Sequence, residues 1–513
     1  MFAIALILVV LCALYWYGTR TFKYWESKGI KHDKPVPFFG NSLPVYLMKK
    51  SITQMTAELY WKYPKEKLVG SYGATNPELV VRDPDFVRRI LVTDFSYFYP
   101  RGINTHKTVV EPLLRNLFFA DGDLWKLLRQ RLSPAFTSGK LKAMFPLIVE
   151  RAERLVDNAI NAPQTGRVLD SRELMARYTT DFIGACGFGL DADSLSTEDS
   201  AFRRLGAKIF QTRWQDILIQ MLKEMFPETC KHLKILGKVE QDVISLVKSI
   251  IENRNYEPSD RNDFIDLLLE CRRKGKMIGE SIEKRNADGS PQEVSLDMDV
   301  FLMAAQVFVF FAAGFETSSS ATSFTLHQLA YHPEIQRKVQ EEIDTILSKH
   351  KNTLCYDAVN EMSYLHCVFK EAQRMFPSLG FLIRQCARRY TFPESDLTID
   401  EGVTIFIPVQ AFHLDPQFFD DPLTFRPERF FHEFSNPMTK YVYLPFGTGP
   451  RACVGERLGL MQSLAGLAAV LSRYSVEPAP ETLRYPKVDP SSNIVQSISG
   501  GLPLLFRPRA ARN

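Results

Sequence analysis

A cysteine lies inside a short glycine-containing segment near the C-terminus, where residues 446–455 read Phe-Gly-Thr-Gly-Pro-Arg-Ala-Cys-Val-Gly. Gly449 and Gly455 let the backbone turn tightly and pass close to a flat group. Such a turn also directs backbone N–H groups at the sulfur of Cys453, as a metal-bound thiolate requires. Arg451 can reach an anionic propionate, and Phe446 can shield the sulfur from water. The segment predicts a thiolate ligand to haem iron, which favours O–O cleavage; an ordinary buried cysteine is the alternative.

The spacing Phe-x-x-Gly-x-Arg-x-Cys-x-Gly resembles the haem-binding loop of cytochrome P450. The resemblance implies a mostly α-helical fold with small β-sheets, in the N-terminal third and before Phe425. It also implies haem b (iron protoporphyrin IX) as the cofactor, with Cys453 as the metal ligand. The polar, charged residues 272–292 are expected to form an exposed loop before a long helix.

The N-terminal residues 2–17 are apolar without interruption, and Trp16 and Tyr17 at their end suit a membrane interface. Basic residues follow this run and none precedes it, which places the N-terminus outside and the rest of the chain in the cytosol. A cleaved signal peptide is the alternative. Prolines just after an anchor resemble the hinge of microsomal members of the family, which implies the endoplasmic reticulum membrane. We expect a membrane anchor over residues 1–19, a basic and proline-rich linker over 20–41, and one haem domain over 42–513.

A second apolar run covers residues 300–315 and is followed at once by Glu316 and Thr317. The run is short for a membrane span and predicts a buried core helix. Gly314 inside a helix costs about 1 kcal/mol, which indicates that another group approaches closely there. Thr317 can bond its own backbone or direct protons, and Glu316 would bring protons from solvent; a packing glycine with a back-bonded threonine is the alternative. The segment resembles the oxygen-activating segment of the family, which makes Thr317 and Glu316 the expected catalytic residues and places Ala313 beside haem.

Two charged residues, Glu371 and Arg374, stand three positions apart and share one face of a helix. Arg429 follows downstream and can add a third charge to the pair. A buried triad of this kind would tie the helix to the loop that leads to Cys453. The alternative is an exposed pair worth only about 0.3 kcal/mol. In this order the three residues match the pattern of the family, and we expect the triad to seat haem without taking part in the chemistry.

Trp125 and Arg129 stand four positions apart on one helix face, where an indole N–H and a guanidinium can converge on one carboxylate. A haem propionate is the natural candidate, and a surface helix with a half-buried tryptophan is the alternative. Arg384 stands where the family places a further propionate-binding arginine, and Arg101 is a weaker candidate of the same kind. The remaining expected cofactor-binding residues are Ala313, Phe446, Arg451, Cys453 and Gly455.

Composition narrows the choice of compartment and partners. A net charge of +4 over 513 residues is small, which argues against a nucleic-acid partner. The eight cysteines have no framework spacing, as expected in a reducing compartment. The nine histidines are expected to be surface or core residues rather than ligands. No dinucleotide-binding glycine motif follows a strand, so electrons for oxygen activation must come from a separate flavoprotein.

Residues 132–136, 312–317 and 453–457 are similar to the insect xenobiotic-metabolising branch called family six. The resemblance implies a microsomal monooxygenase that inserts one oxygen atom into hydrophobic compounds such as plant toxins or insecticides. NADPH–cytochrome P450 reductase is the implied electron donor, and cytochrome b5 is a further candidate partner. The alternatives are a biosynthetic monooxygenase of an endogenous lipid or steroid, a haem-thiolate isomerase or dehydratase, and a non-catalytic haem sensor. The substrate pocket is expected to draw on residues 105–116, 379–382 and 498–502 and on the face near Phe308 and Phe311.

Overall fold

The computed structural model describes residues 2–160, 167–189, 195, 201–261, 263–431, 437–492 and 494–509. Most of these residues are helical, and the strands are few and short, as the resemblance predicts. The α-helices are, in chain order, α1 Phe2–Thr19, α2 Tyr24–Ser27, α3 Leu43–Tyr46, α4 Ile52–Lys62, α5 Pro84–Arg88, α6 Gly122–Leu132, α7 Ser138–Arg154, α8 Ser171–Ile183, α9 Ala201–Phe210, α10 Trp214–Met225, α11 Pro227–Cys230, α12 Gly237–Asn253, α13 Phe264–Arg273, α14 Val300–Tyr331, α15 Pro333–Lys349, α16 Tyr356–Glu361, α17 Ser363–Met375, α18 Val409–His413 and α19 Glu456–Arg473.

The strands form one four-stranded sheet, one three-stranded sheet and two hairpins within the described residues. In the four-stranded sheet the order is β1-β2-β9-β6, with a parallel pairing between β2 and β9 and antiparallel pairings elsewhere. The three-stranded sheet has the order β10-β11-β3, and β4–β5 and β7–β8 are the hairpins. The strands are β1 Leu68–Gly73, β2 Asn76–Val81, β3 Arg167–Asp170, β4 Met277–Arg285, β5 Pro291–Leu296, β6 Leu382–Gln385, β7 Tyr390–Thr391, β8 Thr398–Ile399, β9 Thr404–Ile407, β10 Tyr474–Pro478 and β11 Pro503–Pro508.

Helix α14 runs through the main hydrophobic core and packs against α8, α12, α17 and α19. It begins after Asp299, whose carboxylate accepts the backbone N–H of Leu302 at 2.7 Å and so caps the first turn. It ends just before Pro333, which starts the next helix. The apolar run therefore forms a buried core helix, as predicted, although the helix continues well beyond residue 315.

Among the described residues, α1 and α14 are the helices long and apolar enough to cross a membrane. Half of the apolar window of α14 is buried inside the protein, whereas only 6% of that of α1 is buried. The exposed apolar surface of α1 makes it a candidate membrane anchor, and the burial of α14 explains its composition without a membrane.

The segment predicted as a linker, residues 20–41, packs on strand β1. Trp25 is fully buried, and its indole N–H donates to the carbonyl of Ser71 at 2.9 Å. A Cβ on Gly70 would come within 2.5 Å of the Trp25 ring, so only glycine leaves room for the indole here. The tryptophan therefore fixes where the chain leaves α1, while the division at residues 19 and 41 stays a prediction.

Residues 272–292 were expected to form a loop, and this expectation is wrong. Strands β4 and β5 form a hairpin there, closed by a turn in which the N–H of Asn286 donates to the carbonyl of Ser290 at 2.8 Å. The hairpin is exposed, as expected, but β4 packs against α6. Asp123 of α6 accepts the hydroxyl of Ser281 at 2.8 Å and the N–H of Ile282 at 2.7 Å. These contacts come from a helix far away in the chain, which a local pattern of polar residues does not reveal.

The cysteine segment lies at the junction of two hydrophobic cores. Residues just before it, including Val442 and Leu444, belong to the core beneath the four-stranded sheet. Leu458 and Met461 just after it belong to the core around α14. Both ends of the segment are therefore held by packing, which fixes the position of its glycine-rich turn.

Candidate functional site

The backbone of the cysteine segment folds into a tight turn just before α19. The N–H of Cys453 donates to the carbonyl of Phe446 at 2.9 Å, and that of Ala452 donates to Gly449 at 2.9 Å. Gly449 has a φ of +77°, and a Cβ there would lie 2.0 Å from the carbonyl oxygen of Leu91. Glycine is thus required at 449 by both conformation and space.

Gly455 departs from the expectation that the turn needs glycine at both positions. Its φ is −92°, and a Cβ would meet nothing closer than 3.9 Å, on the ring of Phe136. The backbone of this turn therefore accepts other residues at 455. A role for Gly455 beside a cofactor stays a prediction.

Cys453 has accessible surface, but the surrounding protein still shields its thiol enough to change the pKa. Burial raises the pKa of the thiol and the charge of Glu456 raises it further, while the backbone N–H of Gly455 and the charges of Arg129 and Arg101 lower it. The cysteine also precedes the N-terminus of α19, where the helix dipole favours an anion. These features are those of a sulfur on the wall of an interior space, with positive charge arranged to stabilise a thiolate.

Three buried arginines from distant parts of the chain gather near this turn around a single carboxylate. Arg451 donates to Asp121 at 2.9 Å, and the backbone N–H of Arg101 donates to the same carboxylate at 2.7 Å. Burial lowers the pKa of Arg101 to about 10 and that of Arg384 to about 9, and Arg101 lowers the latter further. Burial also lowers the pKa of Arg451 well below its usual value. The cluster is a concentration of desolvated positive charge.

The donors of this arginine cluster are only partly used within the described residues. The Nε of Arg384 and the Nε and Nη1 of Arg451 are buried and have no hydrogen-bond partner. The charge of Asp121 acts on all three guanidinium groups, and of the three that of Arg451 donates to it, so one carboxylate stands against three positive charges. Buried polar groups of this kind are normally paired. A group that carries two carboxylates, as haem b does in its propionates, fits both the charge and the free donors.

Helix α6 connects the arginine cluster to the cysteine turn. The guanidinium of Arg451 stacks on the indole of Trp125, 4.3 Å from the ring centroid. One turn further along α6, Arg129 donates to the carbonyl of Ala452 at 2.9 Å. In this structure the two side chains thus contact different partners on the cysteine segment. Their predicted convergence on one propionate stays a prediction.

The three charged residues predicted to form a triad lie together in the interior. Arg374 donates to both oxygens of Glu371, at 2.8 and 2.9 Å, and the Nε of Arg429 donates to Glu371 at 3.0 Å. Glu371 and Arg374 have no exposed side-chain surface. The triad joins α17 to the loop after Phe425, and its role in seating haem stays a prediction.

His413 links this triad to the cysteine segment and was not singled out by its sequence. Its Nδ1 lies 3.1 Å from the carbonyl of Arg374, and the N–H of Leu444 donates to its Nε2 at 3.0 Å. Burial, with the nearby charge of Arg374, lowers the pKa of His413 to about 3. The neutral ring with a proton on Nδ1 satisfies both contacts. A histidine without a motif carries no signal that predicts such a position.

On α14, the hydroxyl of Thr317 donates to the carbonyl of Ala313 at 2.6 Å. Ala313 is exposed, whereas the residues within one turn of it on this helix are partly or fully buried. Gly314 faces α8, where a Cβ would lie 2.5 Å from the side chain of Ile183. The close approach expected at the glycine is therefore made by a neighbouring helix, and the accessible small residue on α14 is Ala313.

Glu316 forms an ion pair with Arg172 of α8. Both side chains are largely buried, and the Nη1 of Arg172 is buried without a partner in the described structure. Glu316 was expected to take protons from solvent. In the structure it is paired with a cation and is largely shielded from bulk solvent. Its predicted part in proton supply requires this pair to open. Nothing in the sequence singled out Arg172.

Comparison with known proteins identifies the class to which this fold and site belong. A family model described as Cytochrome P450 matches residues 31–502, so the chain belongs to the cytochrome P450 family. Cytochrome P450 6B2 of Helicoverpa armigera is 37% identical over 506 residues, which cover 98% of each chain. Cytochrome P450 6a2 of Drosophila melanogaster is 36% identical over 513 residues, again 98% of each. Cytochrome P450 6B1 of Papilio polyxenes is 36% identical over 497 residues, 96% of each.

Among the members of this family, the chain is of the insect family-six type. It is a haem b monooxygenase, and the family implies a hydrophobic substrate and a separate redox partner. The N-terminal helix α1 is long and apolar enough to associate with a membrane. These findings confirm the predicted family, fold class and cofactor.

Proposed function

We propose that this protein is a microsomal monooxygenase that detoxifies hydrophobic foreign compounds such as plant toxins and insecticides. NADPH–cytochrome P450 reductase supplies the electrons, with cytochrome b5 as an additional partner. Helix α1 anchors the chain in the endoplasmic reticulum membrane, and the catalytic part lies in the cytosol. The proposal is supported by similarity to family-six proteins along 98% of the chain.

The observation that carries the catalytic part of the proposal is the junction between the Cys453 turn and the arginine cluster. Cys453 supplies the thiolate, and Arg384 and Arg451 hold the two propionates through their free donors, with the positive charge of Arg101 beside them. When bound there, haem activates dioxygen and allows one oxygen atom to enter a C–H bond or a double bond. The triad around Glu371 keeps the cysteine segment in place through His413.

Proton supply is assigned to α14. The hydroxyl of Thr317 lies on the accessible side next to Ala313 and can exchange its bond to the Ala313 carbonyl for one to an oxygen species or a water. Glu316 receives protons when its pair with Arg172 opens. The phenylalanines of α14, among them Phe308 and Phe311, favour apolar substrates nearby because they are buried and exclude water.

The test is turnover of the purified full-length protein in lipid vesicles with reductase, NADPH and isotopically labelled dioxygen. Plant defence compounds, insecticides, fatty acids and steroids would be offered in parallel. Label in products of the foreign compounds supports detoxification, whereas label in a single endogenous lipid or steroid indicates a biosynthetic enzyme. The matched control is Cys453→Ser, which should lose the thiolate-type spectrum of the reduced carbon monoxide complex. An unchanged spectrum would exclude Cys453 as the ligand.

A further inference from the structure

A buried ion pair links two segments that are far apart in the chain and that the catalytic assignments leave unused. Lys223 of α10 lies 3.1 Å from the carboxylate of Glu111, and both side chains are more than nine-tenths buried. Two charges are retained inside a protein only when each satisfies the other, and removing one partner is strongly destabilising. The pair is thus a firm connection rather than a surface contact.

The same two side chains hold a third segment. Glu111 accepts the backbone N–H groups of Ile235 and Leu236, at 3.0 and 2.9 Å, and Lys223 donates to the carbonyl of Leu233 at 2.9 Å. Leu236 is the residue that caps α12, so the carboxylate stands at the positive end of that helix. The pair therefore joins the segment 105–116 to α10 and to the beginning of α12.

The segment 105–116 rests on α14, and so do α12 and the helix α9 that precedes α10. On one side, Gln306 of α14 accepts the N–H of Leu117 at 3.0 Å and donates to the carbonyl of Arg115 at 3.1 Å. On the other side, α9 precedes α10 and packs on Phe315, with the ring of Phe210 5.7 Å away. Positions 306 and 315 lie about 14 Å apart along the helix. The ion pair thus connects the segment that contacts Gln306 to α10, which follows directly on the helix that contacts Phe315.

We propose that the pair between Glu111 and Lys223 is the closing contact that sets how readily hydrophobic compounds reach α14 beside Ala313. The proposal rests on the proposed function in taking the substrate to be hydrophobic. A ligand binds at a rate proportional to the fraction of molecules in which the covering segments are apart. The pair keeps this fraction small, because separation breaks the contact between the two charges together with the hydrogen bonds that they make to residues 233–236.

A second buried pair on the same helix offers a matched control. Lys238 of α12 lies 2.9 Å from Asp216 of α10, and the two side chains are as buried as those of the first pair. Lys238 also donates to the carbonyl of Gln211, so its hydrogen bonds in the described structure stay within α10, α12 and the turn before α10. Lys238→Met removes a buried charge, leaves Asp216 paired with Arg213 and does not release the segment 105–116.

The experiment measures the association rate of 4-phenylimidazole with the haem-loaded, full-length protein by stopped-flow absorbance. This probe binds haem iron through nitrogen, so neither reductase nor a known substrate is needed. In Lys223→Met we expect association about tenfold faster. This factor corresponds to a closed state destabilised by about 1.4 kcal/mol relative to the open state. In Lys238→Met the rate should stay within about twofold of the parent, a change below 0.5 kcal/mol. Lys223→Gln keeps a hydrogen-bond donor without the charge. It replaces Lys223→Met in the rate measurement if the methionine variant does not retain haem.

The proposal is overturned if the Lys223 variants bind at the parental rate, or if Lys238→Met accelerates binding equally. Imidazole itself provides a size comparison, since a smaller ligand needs less separation and should be accelerated less. Absence of turnover with all foreign compounds would contradict the proposed function, while the association rates would still decide the role of the pair.

Discussion

Replacing Glu371 with glutamine tests how strongly the buried triad holds the cysteine segment. The substitution keeps the shape of the side chain and removes the charge that Arg374 and Arg429 share. Two guanidinium groups are left in the interior with a neutral partner, and the backbone N–H of Arg426 loses a charged acceptor. Breaking a fully buried pair in this way costs about 3 to 5 kcal/mol.

This free energy converts into a measurable shift of the unfolding temperature. An unfolding entropy of about 2.1 cal/mol/K per residue gives about 1.1 kcal/mol/K for 513 residues that unfold as one unit. The midpoint of thermal unfolding of Glu371→Gln should therefore fall by about 3 to 5 °C, less if the chain unfolds in parts. We also expect faster haem loss, because Arg374 donates to the carbonyl of His413, which holds Leu444.

The matched control is Glu428→Gln in the same loop. Glu428 pairs with Lys338 at 3.4 Å, and both side chains are substantially exposed. Such a pair contributes at most about 1 kcal/mol, so the midpoint should move by less than about 1 °C. Equal shifts in the two variants, or full retention of haem and stability in Glu371→Gln, would refute a supporting role for the triad.

Three further predictions concern the turn, the buried histidine and α14. Gly449→Ala should fail to accumulate as a haem-loaded protein, because its Cβ would lie 2.0 Å from a backbone oxygen. The control Gly455→Ala should change the free energy of unfolding by no more than about 0.5 kcal/mol. Equal behaviour of the two variants would contradict the turn geometry. The pKa of His413 is about 3 when folded, against 6.5 for an unperturbed histidine, so its contribution to stability is present above pH 6.5 and is lost as pH falls toward 3. Denaturant unfolding should show this as a loss on the order of 4 kcal/mol that His413→Gln lacks, and identical pH profiles would exclude it. Thr317→Ala should lower product formed per NADPH severalfold, measured with reductase, and unchanged coupling would remove Thr317 from proton transfer.

Much of the site could be predicted because its signals are local in the chain. The positive φ of Gly449 follows from a turn within ten residues, and the pair between Glu371 and Arg374 follows from their spacing on a helix. The apolar run that begins α14 predicts a buried helix because it is short for a membrane span and is followed at once by Glu316. In each case the physical cause acts over one or two turns of chain, so the order of residues is sufficient.

Other features depend on which elements pack together. The polar residues 272–292 form a hairpin because Ser281 donates a hydrogen bond to Asp123 of α6. Gly314 is needed because Ile183 of α8 packs closely against it. Asp121 and Arg451 stand 330 positions apart and still meet at 2.9 Å. The partners of these groups are set by tertiary packing, which spacing along the chain does not encode.

The sequence by itself determined the class of this protein and predicted Cys453 as its thiolate and α14 as the helix that carries the expected chemistry. Tertiary structure decided that Arg451 pairs with Asp121, that Glu316 is held by Arg172 and that Glu111 pairs with Lys223. Periodicity and turn chemistry report the conformation of neighbouring residues. The meeting of charges that lie more than a hundred residues apart is fixed only when the hydrophobic cores assemble and remove those charges from water.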